Sequence, residues 1–166
     1  MSRQTTLKGD PLNLVGPELT VGSKAPDVTV RKDLKTNVSL LGSTAGKTRF
    51  ISCVPSLDTP VCEKQTVTLT EKLASLPHVA FVTISVDLPV AQTRFCTSKN
   101  LPVDRLFIYS DYFDRSFGKA YGTLINELGV LCRAVFVVGP DDVLKYIQYV
   151  PEIADHPNYE SALAAI

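Results

Sequence analysis

The chain has 166 residues, which is enough for one domain with a substantial core. It is 45% hydrophobic and 20% charged, and 17 basic residues balance 17 acidic ones, so no overall charge favours nucleic acid or an anionic membrane. No apolar run approaches the roughly 18 residues of a membrane-spanning helix, and the N-terminus lacks a stretch of signal-peptide length, so we expect a cytoplasmic protein with no nucleic-acid or membrane partner.

Strand and turn signals dominate the part of the chain before Pro55. The alternating stretch "TTLKGDPLNLVG" predicts a hairpin extension within residues 1–16 that turns at Gly9–Pro11. A second strand pair is expected in "DVTVRKDLKTNVSL", with Lys32–Asn37 as its connection. The apolar run "KTRFISCV" (47–54) then predicts a buried strand.

Helices and strands alternate from Pro60 onwards. Pro60 suits a first helical turn after Asp58 or Thr59 as the N-cap, and this helix should run about four turns and stop at Pro77. The other predicted elements are a strand in "VAFVTISV" (79–86), a helix in "PVAQTRFCTSKN" (89–100), a strand in "RLFIYSD", a short helix in "YFDRSFGKAYG", two strands in "LCRAVFVVGPDDVLKYIQYV" joined by a Gly139–Asp142 turn, and a helix in "NYESALAAI". This order predicts one α/β domain over residues 1–166, with a mixed central β-sheet flanked by helices.

Cys62 lies in the first turn of the helix predicted after Pro60. Free backbone N–H groups and the positive end of the helix dipole favour an anion there. A cysteine attacks as the thiolate, and an ordinary thiol is only a few per cent ionised at neutral pH. Ionising most of it takes roughly 3–4 kcal/mol, whereas a helix terminus supplies about 0.3–1 kcal/mol. A reactive Cys62 therefore requires a nearby cation and a hydroxyl that hydrogen-bonds the sulfur.

Thr59, which precedes Cys62 by one helical turn, is placed to supply that hydroxyl. Arg133 is the conspicuous cation, because a charge inside the apolar stretch "LCRAVFVV" is costly without a partner. Lys64 and Arg94 are weaker candidates.

The other cysteines and the two histidines give no sign of a metal or cofactor site. No two cysteines form a C-x-x-C pair, which argues against a zinc ribbon and a thioredoxin-type dithiol. Cys53 and Cys132 lie in apolar strands and are predicted to be core residues, with Cys132 on the face opposite Arg133. His78 and His156 have no companion at metal-ligand spacing, so no cofactor is expected.

The residues around Cys62 resemble a known family. "PSLDTPVC" fits the P-x-x-x-T-x-x-C signature of the peroxiredoxins at Pro55, Thr59 and Cys62. The stretches similar to the bacterial thiol peroxidase subfamily are "SVDLPVAQTRFC" (85–96), "FGKAYGTLI" (117–125), "RAVFVV" (133–138) and "YVPEIADHPNYESAL" (149–163). The resemblance covers nearly the whole chain and implies a thioredoxin-like fold.

The resemblance also implies a function, the reduction of hydrogen peroxide and of alkyl or lipid hydroperoxides. Cys62 would be the peroxidatic cysteine and Cys96 the resolving cysteine that joins it in an intrachain disulfide. Thr59 would bond the thiolate and the peroxide oxygen, Pro55 would shield the sulfur, and Arg133 would be the active-site arginine. The family further implies thioredoxin as reductant and a homodimer.

A disulfide between two helices has a geometric consequence. Its Cα atoms must lie roughly 4.4–6.8 Å apart, so we expect local unwinding around Cys62 and Cys96 between the reduced and oxidised forms. Glu63 and Asn100 depart from the usual family pattern, and we expect the Glu63 side chain to point away from the sulfur.

One alternative function stays open, and two others are disfavoured. A redox sensor would pass the oxidation of Cys62 to a partner protein, and would need few equivalents of peroxide where an enzyme turns over many. A thiol–disulfide oxidoreductase is disfavoured by the missing C-x-x-C pair, and a cysteine hydrolase by the lack of a positioned histidine.

Overall fold

The computed structural model describes residues 2–166. Over that range the chain forms ten β-strands, four α-helices and a 3₁₀ helix at Gly42–Thr44. The strands are β1 (Gln4–Leu7), β2 (Asp10–Val15), β3 (Thr29–Arg31), β4 (Asn37–Ser39), β5 (Thr48–Cys53), β6 (Val79–Ser85), β7 (Leu106–Ser110), β8 (Leu124–Ile125), β9 (Ala134–Val138) and β10 (Leu144–Tyr149). The α-helices are α1 (Pro60–Leu73), α2 (Pro89–Ser98), α3 (Ser116–Ala120) and α4 (Tyr159–Leu163).

A seven-stranded mixed sheet forms the centre, in the order β10-β9-β5-β6-β7-β3-β4. Strands β5, β6 and β7 run parallel, since the helices α1 and α2 cross over between them, whereas β9 lies antiparallel to β5. Cys53 at the end of β5 is opposite Ala134 at the start of β9. This register brings the chain leaving β5 towards Cys62 beside the chain that enters β9 from Arg133.

The two faces of the central sheet bury different side chains. On β5, Phe50 packs in the cluster that includes residues of α1, α2 and α4, whereas the next residue, Ile51, packs in the cluster that includes α3 and β8. This alternation is what a strand buried on both faces requires. The mixed central sheet with helices packed on its faces confirms the expected thioredoxin-like α/β fold.

The N-terminal hairpin pairs β1 with β2 and adds the short β8 as a third strand. Its turn is centred on Lys8 and Gly9, both with positive φ, rather than on the predicted Gly9–Pro11, because Asp10 and Pro11 already belong to β2. The pattern did not predict β8, which is only two residues long.

The helix that carries Cys62 begins at Pro60 as predicted and ends at Leu73, before the predicted stop at Pro77. Strand β9 begins at Ala134, so Cys132 and Arg133 precede the strand in which they were predicted. Among residues 2–166, no helix is both long and apolar enough to cross a membrane.

Candidate active site

Cys62 lies in the first turn of α1 and is 1% exposed. Its side chain packs with Val54 and Leu57, and Phe95 covers the same small apolar cluster. Pro60 has no N–H, and the N–H groups of the next two residues lie too early in the helix to find an intrahelical acceptor. The sulfur is therefore shielded from water and close to the positive end of the helix dipole.

Arg133 supplies a cation in direct contact with this sulfur. Its Nη2 donates to Cys62 Sγ at 3.3 Å, its Nη1 to Gln65 Oε1 at 2.6 Å, and its Nε to the carbonyl of Ile153 at 2.8 Å. Arg133 is 1% exposed, and none of the ion pairs found within residues 2–166 includes it. The two weaker candidate cations, Lys64 and Arg94, are exposed and make no hydrogen bond to Cys62.

The charge of Arg133 is consequently not neutralised by a carboxylate. A buried cation without an anionic partner costs several kcal/mol, so a protein retains one only where something compensates it. The anionic form of Cys62 is the group placed to do so, since the other two acceptors of the guanidinium are a neutral amide and a backbone carbonyl. Of the three acceptors of the guanidinium, Cys62 Sγ is the one that could carry a compensating negative charge.

Gln65 was not predicted and holds the guanidinium from the side of α1. Its Oε1 accepts from Arg133, and its Nε2 donates to the hydroxyl of Ser52 on β5 at 2.8 Å. Gln65 lies three residues after Cys62, on the same helical face, and this spacing is the signal that could have identified it.

Thr59 is the N-cap residue of α1, but its side chain caps no backbone N–H. Its hydroxyl donates to the carbonyl of Ser56 at 3.0 Å and not to Cys62 Sγ, so the expected bond to the sulfur is absent from this structure. Thr59 is exposed, and its backbone is extended. Pro55 is half-buried and directly follows Val54, which contacts the Cys62 cluster.

The loop between β5 and α1 is fixed by a residue that the sequence did not single out, Asp87. One carboxylate oxygen accepts from the Ser56 hydroxyl at 2.7 Å, and the other accepts from the Leu57 N–H at 2.8 Å and the Ser85 hydroxyl at 2.7 Å. Asp87 lies between β6 and α2, so it ties the loop before Cys62 to the start of the helix that carries Cys96.

Cys96 is buried in α2 and is 3% exposed. Burial raises the pKa of its thiol to about 11. It packs in a different apolar cluster from Cys62, and Phe95 contacts both clusters. All four cysteines are free thiols, so the structure brings Cys62 to Arg133 but does not join it to Cys96.

Cys53 and Cys132 lie in the core, completely buried, as a small apolar residue would. Burial raises the pKa of Cys53 well above its ordinary value and that of Cys132 to about 12. Both therefore stay protonated at neutral pH. Neither thiol makes a hydrogen bond to the Arg133 side chain.

Two further features border the site. The Glu63 carboxylate binds the Lys99 ammonium at the end of α2 at 2.6 Å and makes no hydrogen bond to Cys62. A cleft of about 590 Å³ lies between the loop, α1 and α2, with Leu57, Phe95 and Arg94 among its lining.

Over residues 2–166, no group of three or more His, Cys, Asp or Glu side chains is arranged to hold a metal ion.

Comparison with known proteins agrees with this geometry. The Redoxin family model matches residues 20–163. The chain is 48% identical to a thiol peroxidase of Halalkalibacterium halodurans over 96% of this chain and 95% of the relative. It is 46% identical to a thiol peroxidase of Listeria innocua, covering 98% of this chain and 96% of the relative. A crystal structure of a peroxiredoxin-like protein from Aquifex aeolicus superimposes with a TM-score of 0.85 at 41% identity, covering 100% of this chain and 99% of that one.

The fold and the site define a thioredoxin-fold protein in which a buried cysteine at a helix N-terminus accepts a hydrogen bond from an arginine. The chain belongs to the redoxin family. The resemblance to the peroxiredoxins of the thiol peroxidase subfamily is confirmed, and so is the predicted enzyme class, a peroxiredoxin-type, thiol-dependent peroxidase.

Proposed function

We propose that Cys62 is the peroxidatic cysteine of an enzyme that reduces hydrogen peroxide and organic hydroperoxides. The Cys62 thiolate attacks the terminal oxygen of ROOH, so that an S–O bond forms as the O–O bond breaks. The leaving RO⁻ takes up a proton and departs as ROH, and Cys62 becomes a sulfenic acid. The observation that carries this proposal is the buried Arg133 guanidinium, without a carboxylate partner, donating to Cys62 Sγ at 3.3 Å.

Arg133 then has two roles in this step. Before the attack it stabilises the thiolate, and during the attack it can follow the negative charge as that charge moves towards the peroxide oxygens. The backbone N–H groups of the first turn of α1 would assist. Thr59 would bond the peroxide oxygen after a rotation of its side chain away from the Ser56 carbonyl, and Pro55 would limit access of water.

The second step would join Cys62 to Cys96. The Cys96 sulfur attacks the sulfenic acid, the S–S bond forms, and the S–O bond breaks with release of water. For each ROOH reduced, the two thiols lose two electrons in total. A dithiol reductant, which we propose to be thioredoxin, would return those electrons by thiol–disulfide exchange.

The environment of Cys96 supports a conformational change before this second step. With its pKa raised to about 11 by burial, the Cys96 thiol is protonated at neutral pH and is a poor nucleophile. Unwinding of α2 would expose the thiol to water and return its pKa towards the ordinary value of about 8.5. It would also move Phe95, which packs between the Cys62 and Cys96 clusters. The predicted unwinding would thus make the Cys96 thiol a better nucleophile and would also allow it to reach Cys62.

The cleft beside the loop supports organic as well as inorganic substrates. Leu57 and Phe95, which pack against Cys62, also line this otherwise mostly polar cleft, so an alkyl group of ROOH would lie against these two side chains. We further propose a cytoplasmic protein that acts as a single domain over residues 1–166 and as a homodimer.

Peptide mass spectrometry after one equivalent of peroxide tests the assignment of roles. We expect a disulfide-linked peptide pair containing Cys62 and Cys96 in the native protein. Cys96→Ser should accumulate the Cys62 sulfenic acid, trapped with dimedone, and Cys62→Ser should show neither product. Cys53→Ser is the matched control, since that thiol is equally buried but makes no hydrogen bond to Arg133. Sulfenic acid on Cys96 in the Cys62→Ser variant would reverse the proposed roles.

A further inference from the structure

The N-terminal hairpin is fastened to the segment after β10, residues 150–154, which lies next to Arg133. The Thr6 N–H donates to the Pro151 carbonyl at 2.8 Å, and the Ile153 N–H donates to the Thr6 carbonyl at 2.9 Å. The Thr5 hydroxyl adds a bond to the Pro151 carbonyl at 3.1 Å. Strand β1 thus fixes segment 150–154 through its backbone.

Glu152 makes the second attachment, to the hairpin turn. Its carboxylate accepts from the Thr6 hydroxyl at 2.7 Å, the Lys8 N–H at 3.0 Å and the Gly9 N–H at 3.1 Å. The positive φ angles of Lys8 and Gly9 place two consecutive N–H groups on one carboxylate. These hydrogen bonds, that of the Thr6 hydroxyl first, lower the pKa of Glu152 to about 2, so the attachment persists throughout the neutral range.

Segment 150–154 in turn holds Arg133 at two points. The Val150 N–H donates to the backbone carbonyl of Arg133 at 2.9 Å, and the Ile153 carbonyl accepts from Arg133 Nε at 2.8 Å. A guanidinium is planar and rigid, so an acceptor fixed at Nε sets the direction in which the two Nη groups point. The position of the Ile153 carbonyl therefore influences where Nη2 meets Cys62 Sγ.

We propose that Glu152 is a positioning residue for Arg133, and that the N-terminal hairpin acts on the active site through it. The bonds from the turn to Glu152 hold segment 150–154 in place, the Ile153 carbonyl orients the guanidinium, and the guanidinium stabilises the Cys62 thiolate. The inference rests on the proposed role of Arg133 at Cys62. It gives the hairpin a function in the reaction in addition to its packing.

The experiment measures the alkylation rate of Cys62 by iodoacetamide at mildly acidic pH, divided by the rate at alkaline pH. At alkaline pH the thiol ionises in any variant, so this acid-to-alkaline ratio reports stabilisation of the anion and not access of the reagent. We expect Glu152→Ala to lower the ratio about tenfold, as a small misplacement in a preorganised site does. Glu152→Gln keeps an acceptor of the same shape and should lose less. Thr6→Val, which removes the hydroxyl donor, should lower the ratio as well.

Glu127→Ala is the matched control. Glu127 also binds the hairpin by its carboxylate, accepting from the Asn13 N–H at 3.0 Å and the Asn13 side-chain amide at 2.6 Å, but it makes no hydrogen bond to segment 150–154. It should loosen the hairpin from the β8 side and leave the ratio unchanged. Circular dichroism and thermal melting establish that each variant is folded before its ratio is measured.

The outcomes separate this inference from the proposed function. If Arg133→Gln lowers the ratio while Glu152→Ala leaves it at the native value, the positioning role is wrong and the role of Arg133 stands. An equal loss in Glu127→Ala would also overturn the inference, because a general effect of loosening the hairpin would then be sufficient. If Arg133→Gln itself leaves the ratio unchanged, the proposed function fails at its first step.

Discussion

Replacing Arg133 by glutamine should remove most of the anion stabilisation at Cys62. Two unit charges 3.3 Å apart attract by about 5 kcal/mol at an effective dielectric constant of about 20. The guanidinium charge is spread over three nitrogens, and water enters the space left by the shorter side chain, so we take roughly half of that value. A loss of roughly 2–3 kcal/mol corresponds to a 30- to 150-fold fall in reactivity, at 1.36 kcal/mol per tenfold.

The assay is alkylation of Cys62 at mildly acidic pH, followed on the Cys62 peptide by mass spectrometry, together with peroxide consumption in the presence of a dithiol. Both rates should fall in Arg133→Gln. Arg133→Lys keeps the charge but cannot bond Gln65 Oε1, Cys62 and the Ile153 carbonyl together, so it should give an intermediate rate.

Arg49→Gln provides the matched control for loss of a buried arginine. Arg49 is also 1% exposed, but it pairs with Asp142 at 2.7 Å and lies at the start of β5, the opposite end of that strand from Cys53. We expect this variant to lose stability and to keep the native reactivity of Cys62. A folded Arg133→Gln protein that alkylates at the native rate would refute the electrostatic reasoning.

Three other variants or measurements test the remaining contacts. Gln65→Glu should keep the acceptor for Arg133 but neutralise the guanidinium charge, and so lower the rate of Cys62 alkylation at mildly acidic pH about tenfold. A rate equal to the native one would show that the charge of Arg133 is unimportant. Lys99→Met removes the ion pair to Glu63 that bridges α1 and α2. Since such half-exposed pairs contribute about 0.2–1 kcal/mol, the substitution should speed disulfide formation after a peroxide pulse roughly 1.5- to 5-fold, as followed by quenched mass spectrometry. Slower formation would argue against unwinding. Burial raises the pKa of Asp111 from 3.8 to about 6, so the folded state binds the Asp111 proton more tightly than the unfolded state does. The contribution of Asp111 to the free energy of unfolding is therefore largest below pH 3.8 and is lost as the pH rises through 6. A carboxyl-carbon NMR titration of Asp111 with a midpoint near 4 would contradict that direction.

Much of the fold could be predicted because it is encoded locally. Proline at the start of α1 and of α2, apolar runs for β5 and β6, and the Gly139–Asp142 turn mark these elements through backbone preferences that act over a few residues. The two-residue β8 could not be predicted in this way, because only pairing with β2 makes it a strand.

Part of the candidate site was also accessible from local pattern. Cys62 stands out as a thiol at a helix start, and Arg133 as a charge in an apolar run. The acceptors of the Arg133 side chain could not be predicted from local pattern, because its hydrogen bonds to Gln65 and Cys62 join residues 68 and 71 positions apart. Those distances in the chain are closed by the antiparallel pairing of β5 with β9.

The sequence by itself therefore determined most of the elements, the family and Cys62 as the candidate reactive thiol, because each depends on neighbours along the chain. Only the tertiary structure decided that Gln65 and the Ile153 carbonyl orient Arg133, that Thr59 bonds Ser56 and not the sulfur, and that Asp87 fixes the loop. The reason is physical: hydrogen bonds form over about 3 Å in space, and which distant groups come that close is set by sheet register and helix packing.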